Sequence, residues 1–409
     1  MPTLVQINVC TGVLSTGKIV GDIGTLVSNK GWESYVAGRY DLCKPCAGSQ
    51  VIEIASCFEK YFHFIFSYLF DKHGRFGIYS TKKLIKKIDK ISPDLVHLHN
   101  IHGYYLHIGL LLSYLKKKRI PVVITTHDCW LITGHCAHFS KVGCDKWKTH
   151  CQNCPIIDSY PRSLTDNSYN NYKFKKQLFS GFESLYIVSV SNWTKTVIED
   201  SFLKHYPIVV IPNGVDTSVF HPLEYGSAPL LKESANKERI LLAVSSAWSD
   251  EKGLSDYIRL NEVLPRGIKI CLVGLNDSQV RQMPSSIICI KRTTNIDELV
   301  HLYNQADVVL SLSKGETFGL TVVEGFACGT PAIVYDNTAL PELITPETGR
   351  VVKNGDIQEL VNAIEDVLQK GKQSFSMQCR ERAVSFYDKK KNYREYLSLY
   401  NSILERFDA

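Results

Sequence analysis

Apolar runs of strand length alternate with helical patterns from one end of the chain to the other. The runs that predict strands lie at residues 4–9, 95–98, 122–125, 185–190, 208–211, 240–244, 268–273, 287–290, 308–312 and 332–335. Such alternation favours parallel sheets covered by helices, because parallel strands are usually joined by a helical crossover. The length of 409 residues suits two domains of ordinary size. We therefore predict an α/β protein with two doubly wound, Rossmann-like domains.

The predicted domain boundary falls near residues 212–222, where Pro-Asn-Gly-Val-Asp and then His-Pro punctuate the chain. The first domain would comprise residues 1–215 and the second residues 216–386. The polar segment 227–237 is expected to form a surface loop. Ligands of doubly wound sheets bind beyond the carboxyl ends of the strands, so we expect the ligand site in a cleft between the domains.

Composition narrows the class of protein. No apolar run reaches transmembrane length, and the first residues lack the layout of a signal peptide. The net charge is +6, but 47 basic and 41 acidic residues are mixed along the chain, unlike the basic stripe of a nucleic-acid binder. Thirteen cysteines, several of them in predicted strands and helices, favour a reducing compartment. We expect a cytoplasmic protein without a nucleic-acid partner.

One segment turns from a strand directly into a helix between two glutamates. The apolar run 308–312 predicts a buried strand, and apolar residues recur at helical spacing from Leu320 onward. A helix N-terminus offers unpaired N–H groups and a positive dipole end, which suit a phosphate. Glu316 lies just before this turn and Glu324 about one turn inside the helix. Carboxylates accept hydrogen bonds from hydroxyls, so the pattern favours a ligand with sugar and phosphate groups.

This segment resembles the donor-site signature of retaining GT-B glycosyltransferases of family 4. Glu316 and Glu324 have seven residues between them, including Phe-Gly-Leu, and the second half reads Glu-Gly-Phe-Ala-Cys-Gly-Thr-Pro. The Pro-Asn-Gly-Val-Asp segment and Lys252-Gly253 extend the likeness over most of the chain. The alternative, a strand-to-helix turn with two solvated glutamates, leaves this run of matches unexplained.

The resemblance implies a GT-B fold, in which two Rossmann-like domains face each other across a cleft. Residues 387–409 would then form a helix that crosses back to the N-terminal domain. The implied activity is the retaining transfer of a sugar from a UDP- or GDP-sugar to a glycan acceptor, expected to be lipid-linked, as in bacterial capsule and exopolysaccharide synthesis. No cofactor is implied for catalysis, because a lysine and helix-end N–H groups can meet the charge of the leaving nucleotide diphosphate.

Donor-site roles follow from the same resemblance. Glu324 is assigned to the ribose hydroxyls, Glu316 to the transferred hexose and Lys252 to the pyrophosphate. The arginine that usually stands six residues before this lysine is replaced by Ser246, and Arg292, after the predicted strand 287–290, is a candidate replacement. The remaining donor-site candidates would contribute backbone groups and are Phe318, Gly319, Leu320 and Gly274. Gly274 equally fits an ordinary turn glycine.

The loop after the first strand contains Thr16 and Gly17, and a helical pattern starts near residue 19. By itself this pattern equally fits a plain turn. The resemblance implies that the loop faces the cleft, with Thr16 toward the acceptor and Gly17 toward the donor phosphate.

Histidines mark the ends of two further predicted strands. His127 and Asp128 follow the strand 122–125, and the resemblance implies that His127 lines the reaction centre. Asn100 and His102 follow the strand 95–98 and are acceptor-side candidates together with Asp128.

Cysteines crowd the segment 129–154. Cys151 and Cys154 form a C-x-x-C pair, and Cys136 and Cys144 precede it at a wider spacing. Four thiolates would complete a tetrahedral structural zinc site. An iron–sulfur cluster, reduced thiols and a disulfide-prone loop remain open. We expect the cluster to fix a long loop beside the acceptor.

Two further interpretations concern partners. The aromatic segment 58–70 and the lysines that follow it favour a helix resting on an anionic membrane, here the inner face of the cytoplasmic membrane, although a core helix with a solvated basic face fits as well. Rival functions are a sugar-phosphate glycosyl synthase, a nucleotide-sugar epimerase and a non-catalytic nucleotide-sugar-binding relative. The last of these stays open because Ser246 replaces the usual arginine. A zinc-bearing nucleic-acid binder is disfavoured by the mixed charges.

Overall fold

The computed structural model describes residues 1–223, 231 and 238–408. The chain divides into two compact units, one formed by Met1–Ile211 with the chain from Tyr393 onward, and the other by Pro212–Asn392. Of the segment 227–237, for which a surface loop was predicted, all but Leu231 lies outside the described residues.

The first unit contains a parallel sheet of seven strands in the order β3-β2-β1-β4-β5-β6-β7. The strands are β1 (Thr3–Ile7), β2 (Glu33–Arg39), β3 (Gln50–Ile54), β4 (Leu95–Leu98), β5 (Val122–Thr126), β6 (Leu185–Ser189) and β7 (Ile208–Val210). The order reverses between β1 and β4. The carboxyl ends of these two strands therefore form the switch point, where doubly wound sheets bind ligands.

Helices cover this sheet on both faces, which is why β1, β4 and β5 are buried throughout. They are α1 (Leu14–Ser28), α2 (Cys57–Phe70), α3 (Ile78–Ile91), α4 (Ile108–Lys118), α5 (Ser168–Phe179), α6 (Asn192–Glu199) and the part of α13 (Lys389–Asp408) from Tyr393 onward.

The last helix is part of the core of the first unit. Tyr393, Tyr396, Tyr400 and Ile403 pack in one buried cluster with residues of α1 and of β1, β4, β5 and β6. The Tyr400 hydroxyl lies 2.7 Å from Nδ1 of His97, and the Tyr396 hydroxyl makes a further hydrogen bond to β5. Apolar packing and buried hydrogen bonds together hold α13 against the sheet.

The second unit contains a parallel sheet of six strands in the order β10-β9-β8-β11-β12-β13. The strands are β8 (Arg239–Val244), β9 (Ile268–Val273), β10 (Ile288–Ile290), β11 (Val308–Ser311), β12 (Ala332–Tyr335) and β13 (Gly349–Val352). The helices are α7 (Leu254–Val263), α8 (Asp277–Gln282), α9 (Ile296–Gln305), α10 (Leu320–Ala327), α11 (Ile357–Lys370) and α12 (Gln373–Phe386). Here the switch point lies between the carboxyl ends of β8 and β11.

Candidate functional site

Two loops meet at the switch point of the second unit. The Glu251 carbonyl, in the loop after β8, accepts the Lys314 N–H at 2.8 Å and the Ser313 hydroxyl at 3.3 Å, both in the loop after β11. Gly253 has a φ of +76°, and a Cβ there would lie 2.2 Å from the Leu312 carbonyl oxygen. Only glycine fits so close an approach. The contact holds the loop that carries Lys252 against the end of β11.

The side chains of Lys252 and Glu316 meet at this point. Lys252 Nζ lies 2.5 Å from Glu316 Oε1, and the two side chains are 33% and 25% exposed. The pair is therefore open to solvent, and the ammonium can be reached by an anionic ligand. The structure thus brings together the two residues to which the family resemblance assigns the pyrophosphate and the hexose.

The turn before α10 is fixed by backbone contacts and by one buried ring. The Glu316 N–H donates to Thr338 Oγ1 at 2.9 Å, and the Glu316 carbonyl accepts the Ala339 N–H at 3.1 Å. The Phe318 side chain is buried, with its ring centroid 5.7 Å from that of Tyr387. Only the backbone of Phe318 can therefore face a ligand.

Gly319 precedes α10 with a φ of +107°, and a Cβ there would lie 2.8 Å from the Leu340 side chain. A side chain is thus excluded for both conformational and steric reasons. The helix begins at Leu320, as the sequence pattern predicts, and its first N–H groups have no partners within the helix.

Glu324 lies on α10 and is half-buried. Its Oε2 accepts the Tyr303 hydroxyl of α9 at 2.7 Å. Burial, followed by the charge of Glu324, raises the pKa of Tyr303 well above its usual value of 10, so the tyrosine remains a donor. The sequence did not indicate Tyr303, because its helical spacing is that of a core residue.

Gly274 follows β9 with a φ of +101°, and a Cβ there would lie 1.7 Å from the Ser245 carbonyl oxygen. The close approach at Gly274 is therefore made by the protein's own loop after β8. Ser246 is exposed in that loop. Arg292 is also exposed and follows β10, the edge strand, which is two strand spacings or about 10 Å from β8.

In the first unit, Asn8 joins the two loops at the switch point. Its Nδ2 donates to the Cys10 carbonyl at 2.8 Å and to Thr16 Oγ1 at 3.3 Å, while its Oδ1 accepts the Asn100 N–H at 3.1 Å. Asn8 is fully buried. It positions two predicted acceptor-side residues, Thr16 and Asn100, and was not singled out from the sequence.

The prediction that the first helix starts near residue 19 is wrong, since α1 begins at Leu14. Thr16 and Gly17 therefore lie in its first turn. Serine, threonine and glycine have weak helix propensity and obscure the pattern before residue 19. Gly17 packs against Cys10, in the segment that follows β1. A Cβ on Gly17 would lie 3.2 Å from the Cys10 carbonyl oxygen.

A chain of hydrogen bonds determines the tautomer of His127. Gln6 donates through Nε2 to the Val20 carbonyl, so its Oε1 accepts from Nε2 of His99 at 3.3 Å. Nδ1 of His99 is then an acceptor for His127 Nε2–H at 3.0 Å. Burial lowers the pKa of His127 to about 4. Near neutral pH this ring is uncharged, and Nδ1 is its unprotonated nitrogen.

A second hydrogen-bonded set contains His102, Asp128 and Tyr160. His102 Nε2 lies 2.6 Å from Asp128 Oδ2, and His102 Nδ1 lies 2.9 Å from the Tyr160 hydroxyl. Burial disfavours the Asp128 carboxylate, but His102 and the Trp130 N–H outweigh it and lower the pKa of Asp128 below its usual range. Two predicted residues thus meet here, and Tyr160 joins them from a distant part of the loop.

The four predicted metal ligands line one small cavity of about 20 Å³. Cys136 is buried, and Cys144, Cys151 and Cys154 are half-buried. Burial, and then the three neighbouring thiols, raise the pKa of Cys136. Within the described residues, no three side chains of His, Cys, Asp or Glu stand in a geometry ready to hold a metal ion.

The aromatic helix α2 is largely solvent-exposed rather than part of the core. It buries only His63 and Ser67. Its large exposed side chains are Phe58, Tyr61, Phe62, Phe64, Ile65, Leu69 and Phe70. In the part of the chain that the structure describes, no helix combines the length and the apolar character needed to span a bilayer.

The comparisons with known families agree with this fold. Residues 58–219 match the model of Glycosyltransferase Family 4, and residues 231–385 match that of Glycosyl transferases group 1. Together the two matches span most of the chain, and the second contains Lys252, Glu316 and Glu324. The chain belongs to the family 4 glycosyltransferases with the GT-B fold.

Among proteins of similar sequence is the putative colanic acid biosynthesis glycosyl transferase WcaC of Escherichia coli (strain K12). It is 24% identical over 320 residues, which cover 76% of this chain and 77% of WcaC. A GDP-mannose-dependent phosphatidylinositol dimannoside mannosyltransferase of Mycobacterium tuberculosis is 30% identical over 185 residues, which cover 44% of this chain and 48% of that protein.

Two solved structures illustrate the shared fold. Sucrose-phosphate synthase from Thermosynechococcus elongatus aligns with a TM-score of 0.71 at 15% identity, over 99% of this chain and 100% of that one. HepE from Anabaena in complex with UDP-glucose aligns with a TM-score of 0.66 at 14% identity, over 98% of this chain and 99% of that one.

Proposed function

We propose that this glycosyltransferase moves a sugar, with retention of configuration, from a nucleotide-sugar donor to a lipid-linked glycan in the synthesis of a bacterial surface polysaccharide. The observation that carries the proposal is the contact between Lys252 and Glu316 at the switch point of the second unit. It sets one cation and one hydroxyl-binding carboxylate side by side, as a sugar diphosphate requires.

The donor would bind at the carboxyl ends of β8 and β11. Lys252 and the N–H groups at the start of α10 would meet the charge of the pyrophosphate. Glu316 would accept hydrogen bonds from the hexose, and Glu324, oriented by Tyr303, from the ribose. UDP-glucose is bound by the structural neighbour HepE and GDP-mannose is used by the mycobacterial relative, so both nucleotides remain candidates.

In the proposed reaction, the acceptor hydroxyl attacks the anomeric carbon on the face from which the nucleotide diphosphate leaves. The bond from the anomeric carbon to the acceptor oxygen forms as the bond to the diphosphate oxygen breaks. The acceptor proton passes to the departing diphosphate, so no metal ion is required. His127 would contribute a neutral ring at the reaction centre, because its proton is committed to His99.

Acceptor binding is assigned to the first unit. Asn100, Thr16 and the set of His102, Asp128 and Tyr160 all lie beyond strand ends of that sheet. Buried, mutually hydrogen-bonded groups of this kind can hold a sugar hydroxyl in a fixed orientation. The alternative function is that of a sugar-phosphate synthase. The likeness to sucrose-phosphate synthase does not favour this alternative, because that likeness concerns the fold alone.

A membrane-bound acceptor is supported by the surface of α2 and α3. The aromatic side chains of α2 continue into Ile78 and Tyr79, which are 50% and 74% exposed at the start of α3. Exposed lysines follow on α3 at positions 82, 83, 86, 87 and 90. Each lysine near an anionic bilayer contributes about 1 kcal/mol of binding, and the aromatic rings suit the interface.

Two experiments test the proposal. A panel of UDP- and GDP-sugars is screened by thermal shift and then for transfer to lipid-linked acceptors, with the product anomer assigned by NMR. Binding and transfer with retained configuration are expected, whereas an inverted anomer excludes the retaining mechanism. Flotation with anionic and neutral liposomes tests the membrane contact, and replacing Phe58 and Tyr61 by serine should weaken binding to the anionic liposomes without lowering the melting temperature.

A further inference from the structure

The segment between β5 and α5 is irregular and buries only some of its side chains. Its described residues 127–167 contain no strand and no α-helix, only the 3₁₀ turns Ser140–Val142 and Lys146–Lys148. Trp147 and Ile156 are nevertheless 3% and 5% exposed. Irregular segments of this length are uncommon inside compact domains. A cross-link other than backbone hydrogen bonding would explain how this one keeps its shape.

The cavity in this segment has the size and lining of a single-ion site. Cys136, Cys144, Cys151 and Cys154 all line it, and its volume of about 20 Å³ holds roughly one water molecule. Four cysteine sulfurs can hold a single ion or an iron–sulfur cluster, and zinc is the usual choice for a single structural ion.

Backbone donors already point at two of the sulfurs. The Gly134 N–H lies 3.1 Å from Cys151 Sγ, and the backbone N–H of Ile156 bonds to the Cys154 sulfur. Gly134 cannot carry a side chain, because a Cβ would lie 2.1 Å from the Ser168 carbonyl oxygen.

His135 supplies an independent observation. Its ring is 2% exposed, and it lines the same cavity. Nδ1 lies 2.7 Å from Asp71 Oδ1, whereas the buried Nε2 has no hydrogen-bond partner. A carboxylate that orients a histidine toward a metal centre is a common outer-shell arrangement. An orphaned buried nitrogen requires an explanation, and a metal–thiolate centre in the cavity provides one.

Charge balance points the same way. Lys175 is buried, and its ammonium donates to the carbonyls of Trp130 at 2.5 Å and Thr133 at 3.0 Å. Among the described residues, no carboxylate lies within ion-pair distance of Lys175. Burial lowers the pKa of Lys175 to about 7, and the net charge of −2 on four thiolates around Zn²⁺ would favour the charged form of this lysine.

We propose that this cavity is a structural zinc site in which Cys136, Cys144, Cys151 and Cys154 are the ligands and the His135 ring, held by Asp71, lies beside them. Binding releases four thiol protons to solvent and involves no redox change. Because the four sulfurs are not arranged around a metal ion in this structure, binding requires the cysteine side chains to move until each Zn–S distance is about 2.3 Å. The site would order the segment that carries Asp128 and Tyr160.

Metal analysis of the purified full-length protein is the first test. About one zinc per chain is expected, and less than about 0.2 equivalents of zinc overturns the proposal, as does an iron–sulfur chromophore. Replacement of zinc by Co²⁺ then reports the ligands by absorption spectroscopy. A four-sulfur spectrum supports the assignment, whereas a three-sulfur, one-nitrogen spectrum refutes it and makes His135 a ligand.

Variants provide the second test. Cys151→Ser and Cys154→Ser should each lose stoichiometric zinc, whereas Cys57→Ser, which alters an exposed thiol elsewhere in the first unit, should keep it. His135→Ala should retain the four-sulfur spectrum but bind zinc about 10- to 100-fold more weakly. Full zinc content in both cysteine variants contradicts the ligand set.

Limited proteolysis of the wild-type protein avoids the risk that a variant does not fold. Removal of zinc with a chelator should expose the segment 129–154 to cleavage, and restored zinc should protect it. Equal protection with and without zinc refutes a structural role. None of these measurements uses transfer activity, so their outcome is independent of the proposed function.

Discussion

Replacing Lys252 by alanine tests the charge arrangement of the proposed donor site. The ammonium lies 2.5 Å from Glu316 and is one-third exposed. A unit charge about 4 Å from a phosphate oxygen contributes about 4 kcal/mol at an effective dielectric constant of 20. Solvent exposure reduces this to about 1.5–3 kcal/mol, the range for hydrogen bonds with charged groups. The loss corresponds to a decrease of roughly 10- to 150-fold in kcat/KM.

The substitution also leaves Glu316 without its cation, next to an anionic donor. The double variant Lys252→Ala, Glu316→Gln should therefore bind nucleoside diphosphate more tightly than Lys252→Ala alone, although it loses a hexose contact. Titration calorimetry with UDP and GDP measures this difference directly.

A matched control is available at the opposite end of the same sheet. Lys269, near the start of β9, pairs with Glu238 at 3.8 Å and has a similar exposed fraction of 31%. Lys269→Ala should leave donor binding and turnover unchanged. If Lys252→Ala shows near-normal kinetics, or if both variants lose activity equally, the assignment of Lys252 to the pyrophosphate is refuted.

Three further predictions concern single side chains. Tyr303→Phe removes the donor that orients Glu324 and should raise the donor KM about fivefold through the loss of about 1 kcal/mol, and an unchanged KM argues against the ribose role. His127 should make the folded state less stable in acid, because its pKa is about 4 in the folded state and about 6.5 in the unfolded state. Between these two pH values the unfolded state binds more protons. The free energy of unfolding should therefore be about 2 kcal/mol lower at pH 5 than at pH 8. Urea denaturation should show a smaller loss in His127→Gln. Gly253→Ala should lower the free energy of unfolding by more than Gly267→Ala, because both have positive φ but only the first meets a backbone atom; equal losses contradict the steric argument.

Central strands other than β2 were predictable from the sequence, as were the apolar edge strands β7 and β10, whereas the edge strands β3 and β13 were not. β1, β4, β5, β8 and β11 are largely buried on both faces, so their sequences are mostly apolar. β3 and β13 are edge strands, and β2 lies next to one. All three were missed, because partly exposed strands contain polar residues such as Glu53 and Arg350 that interrupt the apolar pattern.

The candidate site was predictable residue by residue but not as a set of contacts. Glu316, Glu324 and Lys252 were assigned from the family resemblance, since spacing alone gave only a phosphate-type turn. Their contacts depend on packing between segments that are distant in the sequence. The approach of Gly253 to the end of β11 brings Lys252 to Glu316, and α9 supplies Tyr303, the partner of Glu324. Nothing in the local sequence encodes either.

The last helix has a consequence for the order in which the protein can mature. Tyr396 and Tyr400 fill the core of the first unit, yet they are synthesised after every residue of the second. On the ribosome, the second unit can thus complete its fold while the first still lacks part of its interior. Until α13 has been synthesised, the sheet that carries His97 and Thr125 leaves apolar side chains of the first unit uncovered, and such a surface is a target for chaperones.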